Sequence, residues 1–201
     1  MAEGAGRFRR WFLMHNQDMV LRAGIFVAAS AAFALLSWRS LRSRRSHGFY
    51  RFFAFELLLA LVLLNAPGWF REPLSTRQVV SWAILAASAG LAMEGFRLFF
   101  KIGRPARNAT EGANLWLENT TTLVAVGIYR FIRHPMYASL MGLGWGAFLK
   151  LPSGIGLGLT LGASGFLVAT AVAEERENLA RFGAAYAAYM KTTRRFVPFL
   201  I

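Results

Sequence analysis

T-T-L-V-A-V-G-I-Y-R-F-I-R-H-P-M-Y, residues 121–137, is the stretch whose reading decides the fold. It gains its meaning from a second stretch, E-E-R-E-N-L-A-R-F-G-A-A-Y-A-A-Y, residues 174–189. Between them lie two apolar, glycine-rich segments separated by Pro152-Ser153-Gly154. Pro135 has no backbone N–H to donate and fits the first turn of a helix, so the first apolar segment starts at His134–Pro135 and runs to Leu149. The second runs from Gly154 to Ala173. If both cross a bilayer, the chain returns to its starting side. The aromatic, basic patch before the hairpin then meets the twin carboxylates after it, and that meeting point is the expected active site.

The rest of the chain extends this reading. Of the 201 residues, 56% are hydrophobic, above the roughly 45–50% of soluble domains. Apolar runs long enough to cross a bilayer are expected at 20–38, 49–66 and 78–100. With the hairpin they make an all-α, polytopic membrane protein of about five transmembrane helices and an amphipathic C-terminal helix. The first 19 residues alternate Phe8, Trp11, Phe12 and Met14 with arginines, as a short interfacial helix does. One integrated membrane domain results. Residues 1–110 supply the N-terminal helix and spans one to three, and 111–201 a binding loop, spans four and five and the C-terminal helix. Residues 101–119 read as a polar loop.

Three features refine the spans. Gly142 and Gly146 are four apart, as are Gly154, Gly158 and Gly162; such spacing lets helix backbones approach closely in lipid and predicts a tight hairpin of spans four and five. Glu94 and Arg97 share one helix face and can pair. Glu56, in the second span, is expected near the helix start, reaching the interface, because a carboxylate at membrane depth is costly.

The formal charge is +13. No nucleic-acid-binding motif accompanies it, so the reading is no nucleic acid but membrane lipids, with Lys and Arg beside anionic headgroups. Loops 39–51 and 101–134 and the tail, on one side of five spans, carry five Lys/Arg each. The positive-inside rule puts that side, and the active site, in the cytoplasm; four arginines among residues 1–22 act against the bias. The expected location is a bacterial inner membrane. Cysteine is absent, which excludes disulfides, thiolate metal sites and a cysteine nucleophile. The three histidines lie far apart and no metal-binding spacing occurs.

Around His134 stand Tyr129, Arg130, Arg133, Pro135, Met136 and Tyr137. A helix start attracts a ligand carboxylate, while aromatic rings and carboxylates attract a cation. An amino acid with a second positive centre matches both. After the hairpin, Val172, Glu175, Leu179, Phe182, Tyr186 and Tyr189 follow three- and four-residue steps and share one expected face. Glu174 points about 100° away from Glu175.

At these residues the sequence resembles the isoprenylcysteine carboxyl methyltransferase and phospholipid methyltransferase family. The R-H-P-x-Y core at 133–137, the Glu174-Glu175 pair and F-G-x-x-Y at 182–186 carry the likeness, which covers about the last ninety residues. It implies a membrane enzyme that transfers a methyl group from S-adenosyl-L-methionine to a small or lipid-like acceptor: a carboxylate, thiol or amine. By that likeness Thr121, Thr122, Leu123, Val124 and Tyr129 line the cofactor pocket, and His134, Pro135, Met136, Tyr137 and Glu174 bind the cofactor. The helical reading favours Glu175 as the pocket-facing acid, so both carboxylates are carried. Arg133 and Glu175 are the candidate catalytic groups, one to hold an anionic acceptor and one to orient or deprotonate it; Arg130 is the alternative anion holder. Thr170 stands where prenylcysteine methyltransferases have an arginine, which argues against a prenylcysteine carboxylate. The alternatives are a membrane reductase of a related hairpin fold using a nicotinamide cofactor, and a non-catalytic membrane protein.

Overall fold

The computed structural model describes residues 2–103 and 122–197, with side chains from Asn16 onward. Described helices are α1 (Ala2–Leu36), α2 (Trp38–Leu41), α3 (His47–Leu64), α4 (Thr76–Ile102), α5 (Pro135–Lys150), α6 (Gly154–Phe182) and α7 (Ala184–Thr192). Among the described residues there is no strand, only one isolated parallel bridge between Ile132 and Arg194.

Four helices are long and apolar enough to cross a membrane: α1 over Asn16–Leu36, α3, α4 and α6. Large apolar side chains point outward along them, among them Val27, Leu35, Val80, Met93, Ile155 and Leu161. In water such a surface would be unfavourable; in hydrocarbon it is the expected exterior. The hairpin's first arm, α5, has sixteen residues, about 24 Å at 1.5 Å per residue, and is shorter than the other four.

The helices pair as α4 with α5, α3 with α6 and α5 with α6, and α1 leans on α3. The buried side chains of Ala54, Tyr137, Leu167, Ala171 and Phe196 knit α3, α5, α6 and the C-terminal segment together. Ser46 and Ser153 cap α3 and α6 by accepting from the N–H of Gly48 and Gly156. Glu94 and Arg97 pair as expected, through two contacts of 2.8 Å, at an exposed position where such a pair contributes little.

Four expectations need correction. The N-terminal segment is not a separate interfacial helix: α1 runs unbroken for 35 residues. The glycines do not tighten the α5–α6 hairpin. A Cβ at Gly142 would strike Ser88 and one at Gly146 would strike Leu85, both on α4, whereas Gly162 faces Leu57 of α3, and Gly154 and Gly158 meet nothing. Small-residue spacing marks a close approach only at Gly142, Gly146 and Gly162, and in none of them is the partner the other arm of the hairpin. Glu56 is not near a helix start: it is the tenth residue of eighteen in α3. It accepts a hydrogen bond from Ser30 of α1 at 2.5 Å, which offsets part of the cost of its depth.

The fourth correction concerns the C-terminal helix. The second arm of the hairpin does not stop at Ala173; α6 continues through the twin acids to Phe182. Gly183 then takes φ +55°, a left-handed conformation that glycine adopts readily, and α7 starts at Ala184. The aromatic stripe is therefore not one continuous face. Tyr186 and Tyr189 turn inward on α7, while Leu179 on α6 is exposed.

The two ends of the bundle are fixed by long-range contacts. At one end, Asn65, Arg77 and Gln78 bond to carbonyls at the α5 C-terminus. At the other, the backbone N–H of His47 donates to Glu177 Oε1 at 3.0 Å and its Nδ1 lies 2.8 Å from Oε2. This ties the start of α3 to the far end of α6.

Candidate functional site

The chain approaches the site through the turn Gly127–Arg130. Gly127 has φ +59°, a left-handed conformation that favours glycine, and a Cβ there would also displace the tip of the Leu98 side chain. The residue before a proline avoids the helical region. His134 does so, with φ −123° and ψ 63°, and α5 begins at Pro135. Just before this corner the backbone takes a partner. Arg133 N–H donates to Arg194 O at 2.7 Å, His134 N–H to Arg195 O at 3.1 Å, and Arg194 N–H to Phe131 O at 3.0 Å. The C-terminal segment 193–196 is thus strapped across the entrance to α5.

The side chains meet where the strap, α5 and α6 converge. Glu175 is 4% exposed. Its Oε1 accepts from Arg133 Nε at 2.8 Å and from Arg195 Nε at 3.1 Å, and its Oε2 accepts from Arg195 Nη2 at 2.7 Å. His134 Nε2 lies 3.3 Å from Oε1. Burying a carboxylate costs several kcal/mol, and charge-assisted bonds of this geometry are what make it tolerable. Bonding to Glu175 holds the Arg195 guanidinium charged more firmly than usual. Arg133 also donates through Nη1 to Thr193 O at 2.5 Å and Met190 O at 3.2 Å.

Glu174 is placed differently. Its side chain is 30% exposed. Oε2 accepts from the Tyr137 hydroxyl at 2.5 Å and lies 3.8 Å from His134 Nδ1. The His134 ring stacks on Tyr137 with centroids 5.4 Å apart, and Phe196 is tilted against it at 6.1 Å. His134 therefore stands between the two acids, one enclosed by cations and the other open on one side.

The structure thus brings together Arg133, His134, Tyr137, Glu174 and Glu175. Other candidates form a neighbouring group on α4. Pro135 and Met136 pack against Gly95, and Val124 is buried with Leu98 and Tyr129. The Tyr129 carbonyl accepts from the Tyr189 hydroxyl at 2.6 Å. Leu123 is half-buried and Thr122 exposed; Thr121 lies outside the described residues. Burial raises the Tyr129 and Tyr189 hydroxyls above their ordinary range and pushes Tyr186 up to about 12, so these phenols stay neutral near pH 7. Thr170 is fully buried and donates to Phe166 O of its own helix at 2.7 Å.

Arg195 and Phe196 belong to the site, yet their motif lies outside both signature stretches. One signal was present: a buried acid needs cations, and Thr193-Arg194-Arg195 follows the aromatic stripe directly. No family model, no curated protein and no solved structure matches the chain.

Proposed function

We propose that this chain is an integral membrane methyltransferase that uses S-adenosyl-L-methionine, with α5 as a fifth crossing and the reacting groups at the end where α5 begins. One observation carries the reading: the R-H-P-M-Y entrance and the twin acids, forty residues apart in sequence, touch through His134, Tyr137 and Glu174. That end also presents exposed Arg39, Arg42, Arg44 and Arg45, which favours a cytoplasmic orientation.

The donor set fits a sulfonium amino acid. The described contacts of Glu174 both use Oε2, and its partial exposure leaves it accessible to a cationic amino group. No side chain caps the start of α5, whose first backbone N–H groups suit a carboxylate. The rings of Tyr137 and Phe196 beside His134 attract positive charge. When bound, the cofactor supplies an already activated methyl group. The protein's part is to orient donor and acceptor and keep water away.

In this reading Glu175 is a positioning residue and not a proton acceptor, because both its oxygens are engaged by arginines. Arg133 is likewise bound into the scaffold. The exposed Arg130, set beside Phe131 at 5.9 Å, is the better cation for an anionic acceptor. Thr170, turned onto its own helix, offers no counter-charge to a prenylcysteine carboxylate. The acceptor is another small or lipid-like molecule reaching the site from the membrane.

The test is incubation of membranes containing the protein with methyl-labelled S-adenosylmethionine and a lipid extract. Label should enter a product with the wild type and not with His134→Ala. Label transfer no greater than in membranes lacking the protein would contradict the reading.

A further inference from the structure

The C-terminal strap is joined to the rest of the site by two kinds of contact. Three backbone hydrogen bonds pair it with residues 131–134; through side chains, Arg195 grips Glu175 with two nitrogens and Arg133 donates to the Thr193 carbonyl. Glu175 in turn holds Arg133 and contacts His134. Phe196, next in the strap, lies against the His134 ring and is buried among Ala54, Tyr137, Leu167 and Ala171. The position of His134 is therefore set from two directions by consecutive strap residues.

The two arginines on Glu175 are not equivalent. The Arg133 side chain is 8% exposed and is fixed further by the Thr193 and Met190 carbonyls. The Arg195 side chain is 28% exposed, and its described hydrogen bonds all go to Glu175. Arg195 is the outer partner, the one that can release without exposing the inner one.

We infer that Arg195 is a positioning residue: through Glu175 it clasps the strap over the α5 entrance and holds His134 and Glu174 in the arrangement that binds the methyl donor. The donor-binding half of this statement rests on the methyltransferase reading; the clasp does not. Opening the clasp frees the Arg133 and His134 amides that donate to the strap and lowers the fraction of molecules with a complete site. Apparent affinity falls in proportion to that fraction.

Two measurements on the full chain in detergent separate the two halves. In Arg195→Gln, hydrogen exchange at the Arg133 and His134 amides should speed up by about tenfold, as expected for local opening with global stability largely kept. Affinity for S-adenosylmethionine should fall by about tenfold, with Arg195→Lys intermediate in both. Lys191→Gln, which removes an exposed positive charge from α7, should match the wild type. Wild-type exchange at both amides in Arg195→Gln would overturn the clasp. Faster exchange with unchanged donor affinity would overturn the positioning role. If the wild type itself binds no donor, the methyltransferase reading fails while the exchange measurement still decides the clasp. Should Arg195→Gln not fold, Arg195→Lys is read alone: exchange at the two amides faster than wild type supports the clasp, and equal exchange overturns it.

Discussion

The two ends of this bundle solve the burial of charge in opposite ways. At the end where α5 stops, Lys150 is fully buried. Its ammonium donates to Gln78 Oε1 at 3.0 Å and sits 3.5 Å from the centre of the Trp82 ring. No carboxylate is among these partners: the cation is held by a neutral amide, an aromatic face and the negative end of the α5 dipole. Arg77, Gln78 and Asn65 then close the last carbonyls of α5, so the polar groups are spent on finishing a helix. At the end where α5 starts, two acids, a histidine and two arginines from the segment before α5, from α6 and from the strap share one cluster. One acid is enclosed and the other keeps an open side. The difference separates scaffold from site: both ends bury charge, but one leaves a carboxylate accessible to a small cation.

The largest test of this contrast is Glu175→Ala. Removing the enclosed acid leaves Arg133 buried without its charge partner, and loss of one member of a buried pair costs about 3–5 kcal/mol. Equilibrium unfolding in detergent should register it; a loss below about 1 kcal/mol would mean that the cluster behaves like a surface ion pair. Next is Gly68→Ala at the closed end, where a Cβ would lie 2.6 Å from the Lys150 carbonyl oxygen. Backbone cannot yield as a side-chain tip can, so about 1–3 kcal/mol of stability should be lost, with donor binding unaffected.

Reading these features from sequence succeeded where the signal was local. Pro135 fixed the start of α5, and the spacing of Glu94 and Arg97 foretold their pair. It failed where a neighbour had to be named. The glycine steps in α5 indicated a close approach, yet the helix that approaches is α4 and not α6. Arg195 is twenty residues from Glu175 and beyond the break at Gly183, so no helical periodicity relates them. His47 and Glu177 are 130 residues apart, and only the packing of α3 on α6 brings them together. In the site itself, the acid favoured by periodicity is the enclosed one, and the acid favoured by family likeness is the open one. Periodicity reports which side is buried; it does not report what already occupies the carboxylate.

Two smaller effects sharpen the comparison further. Burial pushes Tyr186 up to about 12 and raises Tyr189 as well. A folded-state value above the unfolded one of about 10 means that this stability is fully present below pH 10 and is lost as pH rises above it. The melting temperature should therefore fall on the alkaline limb, less steeply in Tyr186→Phe. An unchanged limb in that variant would place Tyr186 in contact with water. Smallest of all is Gly158→Ala, because a Cβ there meets nothing within 4 Å. It should raise stability by at most about 0.5–1 kcal/mol, and a loss would show that this glycine contacts another molecule or a moving part of the chain.

The most direct measurement is calorimetric titration of S-adenosylmethionine into purified wild type, Glu174→Ala and Lys150→Met. The wild type and Lys150→Met should bind with equal affinity, and Glu174→Ala should lose binding. No binding by the wild type, or equal affinity in Glu174→Ala, would contradict the assignment of the open acid at the α5 entrance to the methyl donor.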